Sequence, residues 1–473
     1  MSACCLLAAA SGCEREAPAM LDATALRDPE VCKSCHSTHY DEWSGSMHAY
    51  ASDDPIFLAM NRRAQRETNG ALGPFCVRCH APLAVQQGLT KDGLNLGELP
   101  QAKKGVTCFF CHAAESLDGT HNNPLMLATD GRLFGPFGDP ASGIPHRGFY
   151  SPMMDETRAE SAAACGSCHD IVNQHGAAVE RTFQEWQQTL FAKPPLGLTC
   201  ASGCHMTGRD GPASTVSTKI RRLHDHSFPA VDVALTAFPQ MDAQRRQVQQ
   251  LLDSELQATL CVDNSARAIE VTLDNVGAGH GWPSGATPDR RVWVEVTASA
   301  GDKVIYQSGV LAPGETLENS SDPDLWLIRD CIYGEDRKEV KMFWEAASVI
   351  TNQLPGSVTP VITDVASFTK SHIRKVYPGA GVTLSQVPDR VTLKVFMKAV
   401  GDDILSDLVA SGDLDPAIPP LVPTFPVGGA TLEWTPQLGA PPPDLQAAKR
   451  LSCVTAGRYV ATPNLAVSHA HCE

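Results

Sequence analysis

Five cysteine-histidine motifs crowd into the first half of the chain and constrain how it can fold. Four motifs read C-x-x-C-H, and the last is one residue wider. In chain order, sites 1 to 5 are Cys32, Cys35 and His36; Cys76, Cys79 and His80; Cys108, Cys111 and His112; Cys165, Cys168 and His169; and Cys200, Cys204 and His205. With 17 Cys and 16 His in 473 residues, chance predicts roughly 0.02 regular matches. The repetition therefore has a chemical cause.

That cause is the attachment of haem. Two thiols at this spacing reach the two vinyl groups of one porphyrin and form thioethers, and the adjacent His binds the iron as proximal ligand. Zinc also uses C-x-x-C pairs, but zinc does not require a His directly after the second Cys. A disulfide between residues i and i+3 has poor geometry. The motifs predict five haem c groups, with site 5 the least regular.

Charge and composition limit the partners. The formal net charge is −15 and the aromatic content is only 6%. A strongly acidic chain is an unsuitable partner for nucleic acid, whereas a cationic patch on a redox protein would attract it. The low aromatic content fits a chain in which porphyrins fill much of the interior.

The remaining seven cysteines fall into two groups. Cys4, Cys5 and Cys13 lie at the N-terminus, and Cys261, Cys331, Cys453 and Cys472 lie in the second half. In an oxidising compartment the latter four could form two disulfides. The sequence does not give the pairing, and buried free thiols remain the alternative.

The N-terminal segment Leu6–Cys13 resembles a bacterial lipoprotein signal, with Cys13 as the lipidated residue. It lacks a basic n-region, so an ordinary secretory signal is the alternative. Either signal implies export to the periplasm or to the outer-membrane or extracellular surface, where c-type haem attachment takes place. No other run of 18 apolar residues indicates a transmembrane helix.

The hydrophobic pattern predicts an α+β multidomain protein. The expected parts are a signal-like segment (1–13), a loop-rich, mostly helical multihaem domain (14–227), a helical linker (228–258), an antiparallel β-sandwich (259–435) and a Pro-rich tail (436–473). Within the linker, a helix is expected over 241–258 with Asp242 as N-cap. Apolar residues alternate with polar ones over 269–274, 292–297 and 391–397, which is typical of strands. A short helix is expected over 402–411, and the Pro-rich stretch from Pro416 should wrap the surface.

Two segments of the haem part are similar to each other. Tyr40–Trp43 and Phe183–Trp186 both place aromatic residues at i and i+3, with Glu directly before Trp. Such a pattern fits a helix face packed on a porphyrin, and ordinary core aromatics explain it equally well.

Eleven further histidines could supply distal ligands, which decide whether an iron can bind a substrate. A second His on each iron would give saturated, low-potential haems, whereas Met would raise the potential. The candidates are His48, His280, His146 and His226, with His121 and His175 as reserves. His372, His469 and His471 lie far along the chain and are expected at the surface.

Three stretches resemble the cytochrome c554 family of multihaem proteins. They are Cys32–His48, Gly105–Cys108 and Cys200–Met206. In addition, Gly277–Gly285 is similar to a loop of multihaem cytochromes that carry an appended C-terminal β-domain, and there His280 would reach an iron. The extra residue of site 5 departs from the family pattern.

The resemblance implies electron transfer in the cell envelope, in respiration or toward an extracellular acceptor, with other redox proteins as partners. The alternative is a multihaem oxidoreductase in which one open haem acts on a small nitrogen or sulfur oxyanion. A C-x-x-C-K motif would resemble the active haem site of nitrite reductases, but the sequence has none. We therefore assign no catalytic residue. The β-domain could also serve docking or self-association, with His469 and His471 as shared ligands.

Overall fold

The structure is a computed structural model that describes residues 19–140, 144–356, 372–439 and 452–455. Within these ranges a first part of short helices and small sheets precedes a part made mainly of antiparallel strands. The predicted α+β class is confirmed. The predicted signal with Cys13, the prolines at 441–443, His469, His471 and Cys472 lie outside the described residues.

The helices of the first part are short, and the four regular motifs overlap them. They are Glu30–Lys33 (α1), Ser37–Ser44 (α2), Met47–Tyr50 (α3), Pro55–Glu67 (α4), Val77–His80 (α5), Pro82–Gln86 (α6), Cys108–His112 (α7), Ala159–Gly166 (α8) and Thr182–Gln188 (α9). Site 5 lies in turns instead. Isolated helices of this length are unstable in water, so their stability depends on what they pack against.

Small two-stranded sheets that the sequence did not predict lie between these helices. The pairs are Ala114–Leu117 (β1) with Leu125–Leu127 (β2), Arg132–Gly135 (β3) with Arg147–Tyr150 (β4), Ile171–Val172 (β5) with Ala178–Glu180 (β6), and Gly208–Pro212 (β7) with Ile220–His224 (β8). Strand β4 begins directly after His146, and β8 ends two residues before His226. The sheets therefore position two of the candidate distal ligands.

The predicted linker helix is Met241–Glu255 (α10). It ends earlier than expected because the chain becomes extended at Leu256 and enters the next strand directly. Gln240, with a left-handed φ of 59°, is the N-cap, and Asp242 lies in the first turn. None of the helices in the described ranges is long and apolar enough to cross a membrane.

The second part contains two larger sheets and a small one. Its strands are Leu256–Asp263 (β9), Ala268–Asn275 (β10), Arg291–Ala300 (β11), Lys303–Ser308 (β12), Trp326–Ile328 (β13), Cys331–Tyr333 (β14), Glu339–Val340 (β15), Ser348–Ile350 (β16), His372–Tyr377 (β17), Arg390–Lys398 (β18), Thr424–Pro426 (β19), Leu432–Trp434 (β20) and Ser452–Thr455 (β21). One sheet has the order β17-β10-β9-β21, another β12-β11-β18-β19 with β13 on β11 and β20 on β18, and the small one β15-β14-β16. The three alternating runs lie in β10, β11 and β18.

The two larger sheets share one apolar core. Val271 of the first sheet belongs to the same buried cluster as Val294 and Val395 of the second. Such a common core favours the interpretation that the two sheets form a sandwich. The expected helix over 402–411 is Asp402–Ala410 (α11).

The Pro-rich stretch lies partly at the surface as expected, with Pro416, Pro420 and Pro426 exposed, but it also enters the core. Phe425 is buried in the core, and its strand β19 pairs with β18. The difference arises because apolar residues such as Ile418 and Val422 stand between the prolines and are themselves buried.

Ion pairs tie the two parts of the chain together. The buried guanidinium of Arg290, at the start of the second large sheet, bonds Asp232 at 2.7 and 2.8 Å. Arg63 of α4 bonds Asp407 of α11 at 2.6 Å. These contacts hold the β-rich part against the helical part from two directions.

One disulfide joins two neighbouring strands of the β-rich part. Cys261 of β9 and Cys453 of β21 face each other in register and are bonded. Cys331 is also disulfide-bonded. The expectation that late cysteines form disulfides therefore holds for these three residues.

We expect the double variant Cys261→Ala/Cys453→Ala to destabilise the β-rich part by about 2–5 kcal/mol, because the bond closes a long loop. The measurement is the midpoint of unfolding followed by far-UV circular dichroism, at fixed haem content. An unchanged midpoint would contradict a stabilising role for this bond.

Candidate haem sites

The five motif histidines share one hydrogen-bond arrangement. In each, Nδ1 faces an oxygen acceptor. The pairs are His36 with the Ala213 carbonyl at 2.7 Å, His80 with the Ala51 carbonyl at 3.0 Å, His112 with the Phe134 carbonyl at 2.7 Å, His205 with the Pro229 carbonyl at 2.7 Å, and His169 with Glu180 Oε1 at 3.2 Å. A proton on Nδ1 that donates to such an acceptor leaves the lone pair on Nε2. All five imidazoles are thus prepared to bind a metal through Nε2.

The wider spacing of site 5 is absorbed locally. The backbone N–H of His205 donates to the Cys200 carbonyl at 3.3 Å. In site 1 the His36 N–H likewise donates to the carbonyl of the first cysteine, Cys32, at 2.8 Å. The extra residue is accommodated at Gly203, whose φ of 147° is a conformation that glycine adopts easily. Site 5 therefore presents its His in the same relation to its first Cys as site 1 does.

Four motif histidines face a second imidazole. The ring centroids are 6.4 Å apart for His36 and His146, and 6.3 Å apart for His48 and His169, for His112 and His226, and for His205 and His280. If each Nε2 binds the metal at about 2.0–2.1 Å, and the centroid lies roughly 1.1 Å behind it, imidazoles on opposite sides of one iron have centroids roughly 6.3 Å apart. The four pairs match this spacing, and each pairs a motif His with a candidate distal ligand.

Site 2 is different. The ring of His80 stacks on Phe57, with centroids 3.8 Å apart and planes 2° apart. Among the described residues, no second imidazole faces His80 in the way the other four are faced. Phe57 lies on α4, which Pro55 begins. Phe57 was not identified from the sequence, since a Phe in an amphipathic helix gives no indication that it stacks on a motif His.

The two reserve candidates lie apart from these pairs. His121 and His175 are exposed; His121 Nδ1 lies 3.1 Å from Thr120 Oγ1, and His175 Nδ1 lies 3.9 Å from Glu335. The structure therefore does not bring the two reserve candidates to a motif His.

His39 has its ring centroid 6.2 Å from that of His36, but also lies edge-on to His226 at 4.9 Å. It follows His36 by three residues, on α2. This placement puts His39 between two sites, whereas His146 comes to His36 from a distant segment.

The motif cysteines show which sites are neighbours. The thiol of Cys32 contacts that of Cys108, and the thiol of Cys165 contacts that of Cys200. Sites 1 and 3 therefore adjoin through their first cysteines, and so do sites 4 and 5.

Site 2 adjoins site 4 in another way. The thiol of Cys79 contacts that of Cys168, so these two sites meet through their second cysteines. The pKa of Cys111 in site 3 is raised to about 12, mainly by burial and further by the charges of Cys168 and Cys165 of site 4.

A cavity of about 1680 Å³ connects all five motifs. It is much larger than the roughly 300–1,000 Å³ typical of a site for one small ligand. Its lining is rich in apolar side chains such as Phe110, Leu133, Met153 and Phe183. A continuous apolar space bordered by five thiol pairs and eleven imidazoles fits several porphyrins.

The electrostatic surroundings favour imidazoles as ligands. Burial lowers the pKa of His48 and of His226 to about 3, which keeps both rings neutral, as metal binding requires. Burial also acts to lower the pKa of His169, but the hydrogen bond and charge of Glu180 raise it to about 9. His169 is thus the exception, because in the metal-free protein it is protonated at neutral pH and would release a proton on binding iron.

Comparisons with known proteins agree with this geometry. Residues 31–113, which hold sites 1 to 3 and His48, match the family model described as cytochrome c554 and c-prime. No curated protein matches the chain. The fold is similar to that of a penta-heme cytochrome c552 from Thermochromatium tepidum, with a TM-score of 0.59 and 18% identity over 87% of this chain and 99% of that chain.

The family match covers three of the motifs, and the structural similarity extends from the helical part into the β-rich part. The resemblance stated from the sequence is confirmed, and haem c is the cofactor that the donor set accepts. Residues 31–113 thus carry the cytochrome c554 pattern, and the chain as a whole is similar in fold to a penta-heme cytochrome c552.

Proposed function

We propose that the chain transfers electrons through five covalently bound haems. The observation that carries this proposal is the set of four imidazole pairs at 6.3–6.4 Å. An iron held between two such rings has no free position for a substrate, which suits a carrier better than a catalyst.

Bound haem supplies a metal that changes its charge by one electron. The protein's own groups do the rest. The cysteines fix each porphyrin in place, and each motif His binds with an orientation set by its Nδ1 hydrogen bond. At four sites the second His comes from a distant segment, so the ligand geometry is held by the fold and changes little between redox states.

The neighbour relations favour a continuous path. The thiols of sites 1 and 3 are in contact, as are those of sites 4 and 5, and the charges of the site 4 cysteines act on Cys111 of site 3. Site 2 joins the row at site 4. Electrons entering at either end, or at site 2, would thus pass only between adjacent haems.

We further propose export to the cell envelope, in the periplasm or on the outer surface, with Cys13 as a lipid anchor. Partners would be other envelope redox proteins that present cationic patches to a chain of net charge −15. Self-association through the β-domain is the less supported option.

The mature protein is expected to have an intact mass equal to the polypeptide plus five haems. Its EPR spectrum should contain four low-spin signals, from sites 1, 3, 4 and 5, because two imidazoles give a strong ligand field. A mass with fewer haems, or a spectrum dominated by high-spin iron, would contradict the proposal.

Replacing one distal ligand should change one haem. His226→Ala is expected to convert a single low-spin signal to high-spin, that of site 3, because His112 faces His226. His121→Ala is the matched control, since His121 is exposed and faces no motif His. Equal spectra for the two variants would show that His226 is not a ligand.

A second function is favoured by one observation: His80 faces no second imidazole among the described residues. The haem of site 2 could then bind a small molecule, as in an oxidoreductase acting on a nitrogen or sulfur oxyanion. Such chemistry would use electrons delivered from site 4, the neighbour of site 2.

Carbon monoxide tests this second function. The reduced protein is expected to bind one equivalent and to change the absorption of one haem, because no second imidazole faces His80 among the described residues. No spectral change would mean that all five irons are saturated. Turnover of nitrite, hydroxylamine or sulfite by the CO-binding protein would then distinguish a catalyst from a carrier with one open site.

A further inference from the structure

The two similar segments found in the sequence make the same contacts in the structure. Tyr40–Trp43 lies on α2, shortly after site 1, and Phe183–Trp186 lies on α9, shortly after site 4. In both, the aromatic rings at i and i+3 are adjacent, with centroids 5.8 Å apart in the first segment and 5.6 Å apart in the second. Their similarity extends to what each side chain does.

The tryptophans hold the chain just ahead of the next site. Trp43 Nε1 donates to the Val106 carbonyl at 2.8 Å, and Val106 stands two residues before the first Cys of site 3. Trp186 Nε1 donates to the Leu198 carbonyl at 3.0 Å, and Leu198 stands two residues before the first Cys of site 5. The two contacts are equivalent in position.

The glutamates hold the chain beside a distal His. The backbone N–H of His226 donates to Glu42 Oε2 at 3.1 Å, and the backbone N–H of Gly281, next to His280, donates to Glu185 Oε2 at 3.1 Å. His226 faces His112 of site 3, and His280 faces His205 of site 5. Each Glu and the Trp beside it therefore act on the same site. The Trp holds the chain just before that site, and the Glu holds the loop that carries its candidate second ligand.

Further contacts fix each carboxylate. Glu42 Oε1 accepts from Arg209 at 2.5 Å. Glu185 accepts from Ser284 Oγ at 2.7 Å and from Gln353 Nε2 at 2.6 Å, both in the β-rich part. A carboxylate that accepts several hydrogen bonds is a rigid anchor, and its loss would leave those donors without partners.

The contacts between cysteines are also equivalent in the two cases. Site 1 adjoins site 3, and site 4 adjoins site 5, through first cysteines in both cases. In each unit the Glu-Trp segment follows the first site and serves the second. A chance likeness would not reproduce the Trp contact, the Glu contact and the cysteine contact together.

We propose that the haem part contains one two-site unit twice, and that Glu42 and Glu185 are its equivalent positioning residues. Each holds the loop that presents the distal His to the second site of its unit. In the second unit that loop belongs to the β-domain, so Glu185 also docks this domain on the haems. The proposal rests on the ligation of sites 3 and 5 proposed above.

The test compares haem-loaded variants by EPR and by intact mass. Glu42→Ala is expected to remove the low-spin signal that His226→Ala removes, and Glu185→Ala the signal that His280→Ala removes, with five haems retained. Added imidazole should restore the signal, because only the protein's own ligand is displaced. Glu42→Gln and Glu185→Gln should keep all four signals, since one acceptor oxygen can still face the loop.

Double variants make the test sharper. Glu185→Ala/His280→Ala should lose no more than His280→Ala alone, whereas Glu42→Ala/His280→Ala should lose two signals. Asp41→Asn on α2 and Gln187→Ala on α9 are matched controls, because both side chains are exposed. They should leave the spectrum unchanged.

The outcomes separate the two proposals. Four intact low-spin signals in Glu42→Ala and Glu185→Ala would overturn the positioning role, as would additive losses in Glu185→Ala/His280→Ala. If either Ala variant fails to retain five haems, Glu42→Asp and Glu185→Asp serve instead, because the shorter side chain withdraws the carboxylate from the loop. These variants should lose part of the same low-spin signals. Full retention of the signals would overturn the positioning role. Fewer than four low-spin haems in the unmodified protein would instead refute the proposed ligation.

Discussion

The facing of imidazoles across an apolar cavity is the interaction on which the rest of the fold depends. The helices around the cavity are too short to be stable alone, and bound porphyrins would supply the contacts that a conventional core provides. Each pair joins segments far apart in the sequence, as with His36 and His146. An iron between two such rings acts as a cross-link as well as a redox centre.

The β-domain is part of this scheme rather than an independent appendage. It contributes His280 opposite His205, and its loop is held by Glu185 from the haem part. The ion pair of Arg290 with Asp232 fixes the same interface. Docking of the domain and the facing of His205 by His280 are therefore physically coupled.

Much of the site was predictable because haem attachment depends on the spacing of two Cys and one His within a few residues of sequence. The four candidate distal histidines also carried local cues, such as the glycines around His280. No second imidazole faces His80 among the described residues, and no local pattern indicated this, because it depends on how distant segments meet. We expected site 5 to be the weak point, yet Gly203 absorbs its extra residue, and the exception is site 2. The small sheets were missed because strands of two to five residues show no clear alternation.

The most direct test of the account is the crystal structure of the mature, haem-loaded protein, with its irons located by anomalous scattering. We predict five irons, four of them between the rings of the pairs described above, each bound to both Nε2 atoms. The iron of site 2 should bind His80 and no second imidazole. Irons bound by His121 or His175, or two or more of the four pairs without an iron between them, would contradict the account.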